Sequence, residues 1–346
     1  MEAAKSAQAL FTPFQAGSLE LANRIVMAPM TRQFSPEGVP GENVALYYKR
    51  RAENGVGLIV TEGTVIEHAD ASNQGNVPHI YGEAALKGWA QVVKAVHEAG
   101  GKIIPQIWHM GAKGQVNDYS AAEIAEIVAS FARSAAAAKE IGFDGIEIHG
   151  AHGYLIDQFF WEKTNTRTDQ YGGDYLARTT FAVEIIKACR HAVGPDFPIV
   201  FRFSQWKSSD YNAKLAKTPE ELEQFLKRLS DAGVDLFHCS TRRFWEPEFE
   251  GSDLNLAGWT KKLSGKPVIT VGSVGLDSDF MSMFKEGKGS SVQAIDGLVQ
   301  RLENGEFDLV AIGRALLGDP AWASKVRDGR TDELLPFTPE LLGTLT

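Results

Sequence analysis

The sequence predicts an α/β protein built as a single (β/α)8 TIM barrel. Eight short apolar segments rich in β-branched residues recur along the chain, and helical segments alternate with them. No composition shift, linker or low-complexity tract divides the 346 residues, so we expect one domain. A doubly wound sheet would have a G-x-G-x-x-G turn after its first strand, and no such turn is present there.

The predicted strands end at proline, glycine or a polar residue, as is typical of short buried parallel strands. We expect the barrel to occupy residues 8–330 and a C-terminal tail to occupy residues 331–346. The strands cover residues 23–29, 57–63, 102–108, 143–148, 198–203, 235–240, 267–271 and 307–312.

Local signals place the helices between these strands. Apolar residues recur at helical spacing over residues 84–99. Ser120 and Glu123 have the spacing of a capping box, which predicts the start of an alanine-rich helix. Thr218 followed by Pro219 predicts another helix start, because proline is favoured at the first helical position. Further helices are predicted over residues 44–55 and 179–192.

Composition excludes several classes of protein. The formal net charge of −9 at pH 7 argues against nucleic acid as a partner and provides no basic surface for a membrane. Cys189 and Cys239 are too far apart for a disulfide framework, an iron–sulfur motif or a zinc motif. Residues 1–10 are too polar for a signal peptide, and no apolar run approaches the length of a membrane span. These observations predict a cytoplasmic protein.

The carboxyl ends of barrel strands carry the chemistry of this fold, so the residues at these ends are the candidate site. They are Pro29, Met30, Thr31, Gly63, Gln106, Trp108, His149, His152, Tyr154, Arg202, Ser240, Thr241, Gly272, Ser273, Gly313 and Arg314.

Two of these strand ends indicate a phosphate site. Gly272 and Ser273 follow the seventh strand, and Gly313 and Arg314 follow the eighth. Barrels often bind phosphate at these positions, where glycines allow backbone N–H groups to approach an anion. Arg314 adds a side chain suited to bidentate contact with phosphate. The alternative is that the glycines only form tight turns.

His149 and His152 have three interpretations. They are two structural histidines of a tight loop, two ligands of a metal ion, or two hydrogen-bond donors to a carbonyl or nitro oxygen. A metal site lacks a suitable third ligand nearby, because Asp144 and Glu147 belong to the strand. Only the remainder of the site decides between the other two interpretations.

Gln106 and Arg202 are polar residues on interior strands, where an unpaired polar group is costly. A heteroaromatic ring rich in carbonyl groups and ring nitrogens would provide partners for both. The alternative for Arg202 is an internal ion pair, for instance with Glu147.

Several motifs together resemble the old yellow enzyme family of FMN-dependent ene-reductases, from about Leu10 to Gly329. The iron–sulfur flavoproteins with a related barrel fit less well, because the cysteine cluster is missing. The matching stretches are residues 21–31, 105–109, 145–154 with 157–159, 165–173 and 311–314.

The resemblance implies non-covalent FMN, reduced by NADPH or NADH, and a small-molecule substrate with an activated alkene. It assigns Ala28, Pro29, Met30, Thr31, Gly63, Gln106 and Arg202 to the isoalloxazine ring, and Gly272, Ser273, Gly313 and Arg314 to the FMN phosphate. His149 and His152 would bind the substrate oxygen, and Tyr154 would protonate the α-carbon after hydride transfer from flavin N5 to the β-carbon. Two further candidates for the substrate pocket come from position and not from the resemblance. Phe244, in the loop after the sixth strand, would either close over the substrate or pack locally, and Trp108 beside Gln106 would shape the pocket.

Two other functions remain open from the residues. A phosphate-binding aldolase or isomerase would require an active-site lysine or carboxylate base at a strand end. A flavin-binding module would retain the cofactor residues without turnover. Homodimers are common in the family, and residues 336–346 are the candidate interface segment.

One connection departs from the family pattern. Family members carry a much longer excursion after the third strand, whereas here only residues 110–119 separate this strand from the next helix. We expect the barrel to tolerate the shorter surface loop. We also expect a more open active site with an altered substrate range or stereochemical preference.

Overall fold

The structure is a computed structural model that describes residues 7–114 and 116–346. Gln115 of the short connection and residues 1–6 of the segment tested for a signal peptide lie outside the described residues. A hairpin of Phe14–Ala16 (β1) and Leu19–Leu21 (β2) precedes the barrel. The barrel strands are Ile25–Met27 (β3), Leu58–Val65 (β4), Lys102–Trp108 (β5), Ile146–His152 (β6), Ile199–Lys207 (β7), Leu236–Ser240 (β8), Val268–Val271 (β9) and Leu309–Ile312 (β10).

The eight strands β3 to β10 form one closed parallel barrel in chain order, with β10 paired to both β9 and β3. This closure confirms the predicted fold. The helices are Glu42–Glu53 (α1), Glu83–Glu98 (α2), Ala121–Glu140 (α3), Leu155–Phe160 (α4), Thr180–Val193 (α5), Pro219–Ala232 (α6), Leu256–Ser264 (α7), Phe280–Glu286 (α8), Asp296–Glu303 (α9), Arg314–Gly318 (α10) and Trp322–Arg327 (α11).

The predicted helix starts are confirmed. Ser120 accepts a hydrogen bond from the Glu123 backbone N–H, and the Glu123 carboxylate accepts one from the Ser120 backbone N–H at 2.7 Å. Thr218 caps α6, and Pro219 is its first residue. Each cap satisfies backbone donors that the first turn of a helix leaves without partners.

The hairpin was not predicted, and it closes one end of the barrel. Phe14, Leu19 and Leu21 pack in one buried cluster with interior residues such as Leu58 and Leu236. The latter two begin their strands, so the hairpin covers the amino-terminal end. The opposite end is left for the site.

Strand β6 is longer than predicted. It continues through the glycine-rich turn to His152 and pairs with β7 as far as Lys207, with an irregularity after Gly150. The apolar pattern stops at Ile148, but backbone pairing does not depend on apolar side chains. His149 and His152 are therefore held by a strand end and not by a free loop.

The connection between β5 and α3 is short, as predicted, and it packs against α4. Gly111 has a φ of 61°, and a Cβ there would lie 2.9 Å from the Leu155 Cα, so only glycine fits without strain. The Gly111 carbonyl accepts a hydrogen bond from Gln158 at 2.9 Å. Lys113 forms an ion pair with Asp70.

The C-terminal residues lie against the end of the barrel at which the carboxyl ends of the strands meet. Arg32 Nη2 donates to the carbonyl oxygens of Leu341 at 3.0 Å and Thr344 at 2.5 Å, and Arg51 donates to that of Thr346. Phe337 is fully buried. Among the described residues, no helix is long and apolar enough to cross a membrane.

Candidate active site

A cavity of about 670 Å³ lies at the carboxyl ends of the strands. It brings together residues from β5, β6, β7, β8, β9 and β10 and from the loops that follow these strands and β3. A second opening of about 720 Å³, near His68, contains none of the predicted site residues. The predicted residues that line the first cavity are Ala28, Pro29, Met30, Thr31, Gln106, Trp108, His149, His152, Tyr154, Arg202, Ser240, Thr241, Gly272, Ser273, Gly313 and Arg314.

Two predicted residues do not line this cavity. A Cβ on Gly63 would lie 2.3 Å from the Trp108 ring, so this glycine makes room for Trp108. Phe244 is buried and packs edge-to-face against Trp245. Its backbone carbonyl accepts a hydrogen bond from the Asn255 side chain at 2.7 Å. The structure thus places Phe244 in local packing beneath the loop after β8.

His149, His152 and Tyr154 form one aromatic cluster. The two imidazole centroids are 5.2 Å apart at 89°, and the Tyr154 ring lies 4.9 Å from His149 and 4.8 Å from Trp108. The Ala151 N–H donates to His149 Nδ1 at 3.3 Å. A neutral His149 therefore carries its proton on Nε2, where it can donate to a ligand.

The backbone and side chain of His152 are both fixed. Its φ of 66° is unusual for a residue with a Cβ, and its N–H donates to Ser204 Oγ at 3.0 Å. Its Nε2 lies 2.7 Å from Ser240 Oγ, and its ring stacks on Trp206 at 4.5 Å. Ser240 Oγ also accepts from Arg202 Nη2 at 3.5 Å. Ser240 is thus the link between the guanidinium and the imidazole.

Burial keeps both histidines neutral. It lowers the pKa of His149 and of His152 well below 6.5, and the positive charge of Arg202 lowers both further. Burial raises the pKa of the Tyr154 hydroxyl above 10.0, although Arg202 opposes this shift. The cluster therefore presents neutral N–H donors beside a protonated phenol at neutral pH.

A buried polar network lies inside the barrel next to this cluster. Gln106 Nε2 donates to Glu147 Oε1 at 2.9 Å, and Glu147 Oε2 lies 2.7 Å from His238 Nδ1. Burial alone would raise the pKa of Glu147, but His238 and Arg202 hold it below 4.5. Both carboxylate oxygens thus have other partners, and no ion pair joins Glu147 to Arg202 among the described residues. Arg202 therefore makes no direct ion pair with Glu147, although the two charges still act on each other.

The remaining polar atoms fit a flavin ring. The Nε of Arg202 is buried without a hydrogen-bond partner in the part of the chain that the structure describes. Because Gln106 uses its Nε2 for Glu147, its Oε1 remains to accept from a ligand N–H. Isoalloxazine carries both the acceptors that Arg202 requires and a ring N–H for Gln106, so the residues present fit FMN.

The turns after β9 and β10 fit the phosphate group of FMN. Gly272 has a φ of 143°, and a Cβ there would lie 2.7 Å from Thr241 Oγ1, so the backbone passes too close for a side chain. Ser273 has a φ of 50°, and such strain collects at ligand sites. Arg314 donates to Ser290 Oγ at 2.9 Å and to the Ser278 carbonyl at 2.5 Å. A guanidinium has five N–H donors, so donors remain for an anion.

A closed barrel with a ring site on its inner strands and a phosphate site on its last two turns defines a flavin mononucleotide enzyme of the TIM-barrel class. The model of the NADH:flavin oxidoreductase / NADH oxidase family matches residues 9–122 and 115–333. The chain belongs to this family, which confirms the resemblance found in the sequence. FMN as the cofactor follows from this membership. The two matched stretches overlap over residues 115–122, at the end of the short connection after β5 and the start of α3.

Individual relatives agree with this assignment. The chain is 34% identical to an NADH oxidase of Thermoanaerobacter brockii over 94% of its own length, but it spans only 52% of that protein, about half. It is 34% identical to chanoclavine-I aldehyde reductase of Penicillium roqueforti, covering 95% of this chain and 90% of the relative. Morphinone reductase in complex with tetrahydroNAD superposes with a TM-score of 0.80 at 27% identity, covering 96% and 94%.

Proposed function

We propose that the protein uses NAD(P)H to reduce the activated C=C bonds of enones, enals and nitroalkenes. The observation that carries this proposal is the cluster of two neutral imidazoles and a protonated phenol in one cavity with the flavin-compatible residues. When bound, FMN supplies the hydride chemistry of the reaction. The chain supplies orientation, charge stabilisation and a proton.

The two histidines polarise the substrate. In this proposal His149 Nε2–H and the His152 ring, 5.2 Å apart, bind the carbonyl or nitro oxygen, on which negative charge develops when hydride reaches the β-carbon. Neutral donors fixed by backbone and Ser240 contacts need no rearrangement as this charge grows. Binding one oxygen with two donors also sets which alkene carbon faces the flavin.

Tyr154 completes the reaction. Its ring lies edge-on to both His149 and Trp108, within 5 Å of each centroid. A phenol that stays protonated can give its proton to the α-carbon as the C–H bond forms at the β-carbon. The balance is one hydride from NAD(P)H and one proton from solvent, which reprotonates Tyr154.

The rate of enone reduction by the reduced holoenzyme should not depend on pH between about pH 7 and pH 9. The pKa values of both histidines lie below 6.5, and the pKa of Tyr154 lies above 10.0, so none of the three changes protonation in this window. Stopped-flow oxidation of the reduced holoenzyme by 2-cyclohexenone across this pH range measures the rate. A rate that changes with pH inside this window would show that one of these three groups titrates in the working enzyme.

Isotope labelling tests the proposed function. NADPH deuterated at the transferred position should place deuterium on the β-carbon of cyclohexanone, and unlabelled NADPH in D2O should place it on the α-carbon. Tyr154→Phe should slow enone reduction, in which Tyr154 protonates the α-carbon, by about 10²–10⁴-fold. Tyr171→Phe, which loses only a hydroxyl contact to Glu184, is the matched control. Deuterium from NADPH on the α-carbon, or no product from any enone, would contradict the proposal.

A further inference from the structure

A stack of aromatic rings leads from the histidine pair toward the rim of the cavity. The His152 ring lies on Trp206 with centroids 4.5 Å apart at 20°, and Trp206 lies on Tyr211 at 5.5 Å and 28°. All three residues line the same cavity. The Tyr211 hydroxyl contacts Met281, so the stack also joins the loop after β7 to α8.

Two cations flank the last ring of this stack. The Cζ of Arg242 lies 5.2 Å from the Tyr211 centroid, and the Nζ of Lys285 lies 5.9 Å from it. Arg242 lines the cavity, whereas Lys285 is an exposed residue that does not line it and is connected to it through the Tyr211 ring. Neither has an ion-pair partner within 4.0 Å among the described residues.

The neighbouring arginine differs in this respect. Arg243 is 2.6 Å from the Asp279 carboxylate and 2.8 Å from that of Glu246. Asp279 is an acidic group whose charge acts on both Arg242 and Tyr211, and it also accepts from the Met281 and Ser282 backbone N–H groups. Its charge is therefore already compensated, which leaves the charge of Arg242 available to a ligand.

We propose that Arg242 and Lys285 bind a phosphate group of the nicotinamide dinucleotide while its nicotinamide ring lies at the histidine pair. This inference rests on the proposed function. A nicotinamide ring that reaches the flavin lies as deep in the cavity as His152, so the rest of the bound dinucleotide must extend outward along the wall of the cavity. The aromatic stack provides such a wall, and the two cations stand at its outer end, where a phosphate is expected.

The test uses FMN-loaded holoenzyme and the variants Arg242→Gln, Lys285→Gln and the double variant. Stopped-flow traces of flavin reduction give the apparent Kd for NADPH, for NADH and for N-benzyl-dihydronicotinamide, which has the reacting ring but no phosphate. Calorimetry with the non-reducing analogue tetrahydro-NADPH measures binding without turnover. Lys262→Gln, which removes an equal charge beside half-buried Trp259 on α7, is the matched control.

We expect Arg242→Gln to weaken NADPH and analogue binding by roughly tenfold and the double variant by more, as expected for a lost charge-assisted contact. The benzyl compound and the control should show no change, and the loss should shrink as salt is raised. Equal losses for NADH and NADPH assign the site to the pyrophosphate, and a loss for NADPH alone assigns it to the 2′-phosphate.

Unchanged Kd values for both dinucleotides would overturn the inference. It would also be overturned if Arg242→Gln weakened FMN binding to the apoprotein and slowed the benzyl compound equally, because Arg242 would then serve the FMN phosphate. If wild-type holoenzyme is reduced by neither the dinucleotides nor the benzyl compound, the proposed function itself fails. The wild-type traces therefore separate the two failures.

Discussion

Replacing His149 by alanine should slow the oxidation of reduced holoenzyme by 2-cyclohexenone by about 10²–10³-fold, the usual effect of losing one donor to a developing oxyanion. The structure supplies the reason, because the Ala151 N–H occupies His149 Nδ1 and leaves Nε2–H for the substrate. The measurement is single-turnover stopped flow with enzyme that has been reduced by dithionite, so that binding of NADPH does not enter.

Two controls separate this role from a structural one. His149→Asn retains an N–H donor and should recover part of the lost rate, whereas His191→Ala on the exposed side of α5 should have no effect. The double variant with His152→Ala should lose less than the product of the single effects, because both donors act on one oxygen. Full activity in His149→Ala would assign the histidine pair to packing.

Replacing Lys207 by methionine should reduce the free energy of unfolding by about 3–5 kcal/mol, the cost of leaving a buried charge without its partner. Lys207 and Asp157 are an ion pair in which both side chains have 0% exposure. The other Asp157 oxygen accepts from the Gly153 N–H at 2.8 Å, directly after His152. Loss of the pair should therefore also slow enone reduction, because the turn that holds His152 loses its anchor.

Urea unfolding of FMN-saturated protein measures the stability change. Combining Lys207→Met with Asp157→Asn should recover most of the loss, because no unpaired charge then remains and the asparagine oxygen can still accept from Gly153. Lys227→Met removes an exposed partner of Asp231 and should change stability by less than about 1 kcal/mol. A Lys207→Met variant as stable as the wild type would show that Asp157 is protonated or solvated in the native protein.

The barrel could be predicted because each strand carries its own local signal. Apolar runs, capping residues and the polar residue after each strand are contiguous in sequence, and barrel closure then brings the strand ends together. His149 and Tyr154 were predicted in this way to lie with the other strand-end residues, and both line the cavity. The hairpin of β1 and β2 was missed because neither of its strands is an apolar run: Gln15 and Glu20 stand at their centres, whereas β3, of the same length, is apolar throughout.

Contacts between distant residues could not be predicted. His238 lies on β8, 91 residues from its partner Glu147 on β6, and no local pattern pairs them. Leu342 lines the cavity because its neighbour Leu341 is bound by Arg32, 309 residues away. Conversely, Phe244 is an aromatic residue of the kind that lines pockets, but in the fold it packs against Trp245 and is held by Asn255. A polar residue in the middle of an interior strand, such as His238, is the one signal that could have indicated the network.

An anaerobic spectral titration of purified holoenzyme tests the central claim most directly. The account predicts a flavin absorbance band that NADPH bleaches and that one equivalent of 2-cyclohexenone then restores. The same titration of His149→Ala should bleach normally and recover slowly, which links the restoration to the histidine pair. A wild-type flavin that is bleached by NADPH and is not restored by any enone or nitroalkene, or a protein that does not bind FMN, would contradict the account.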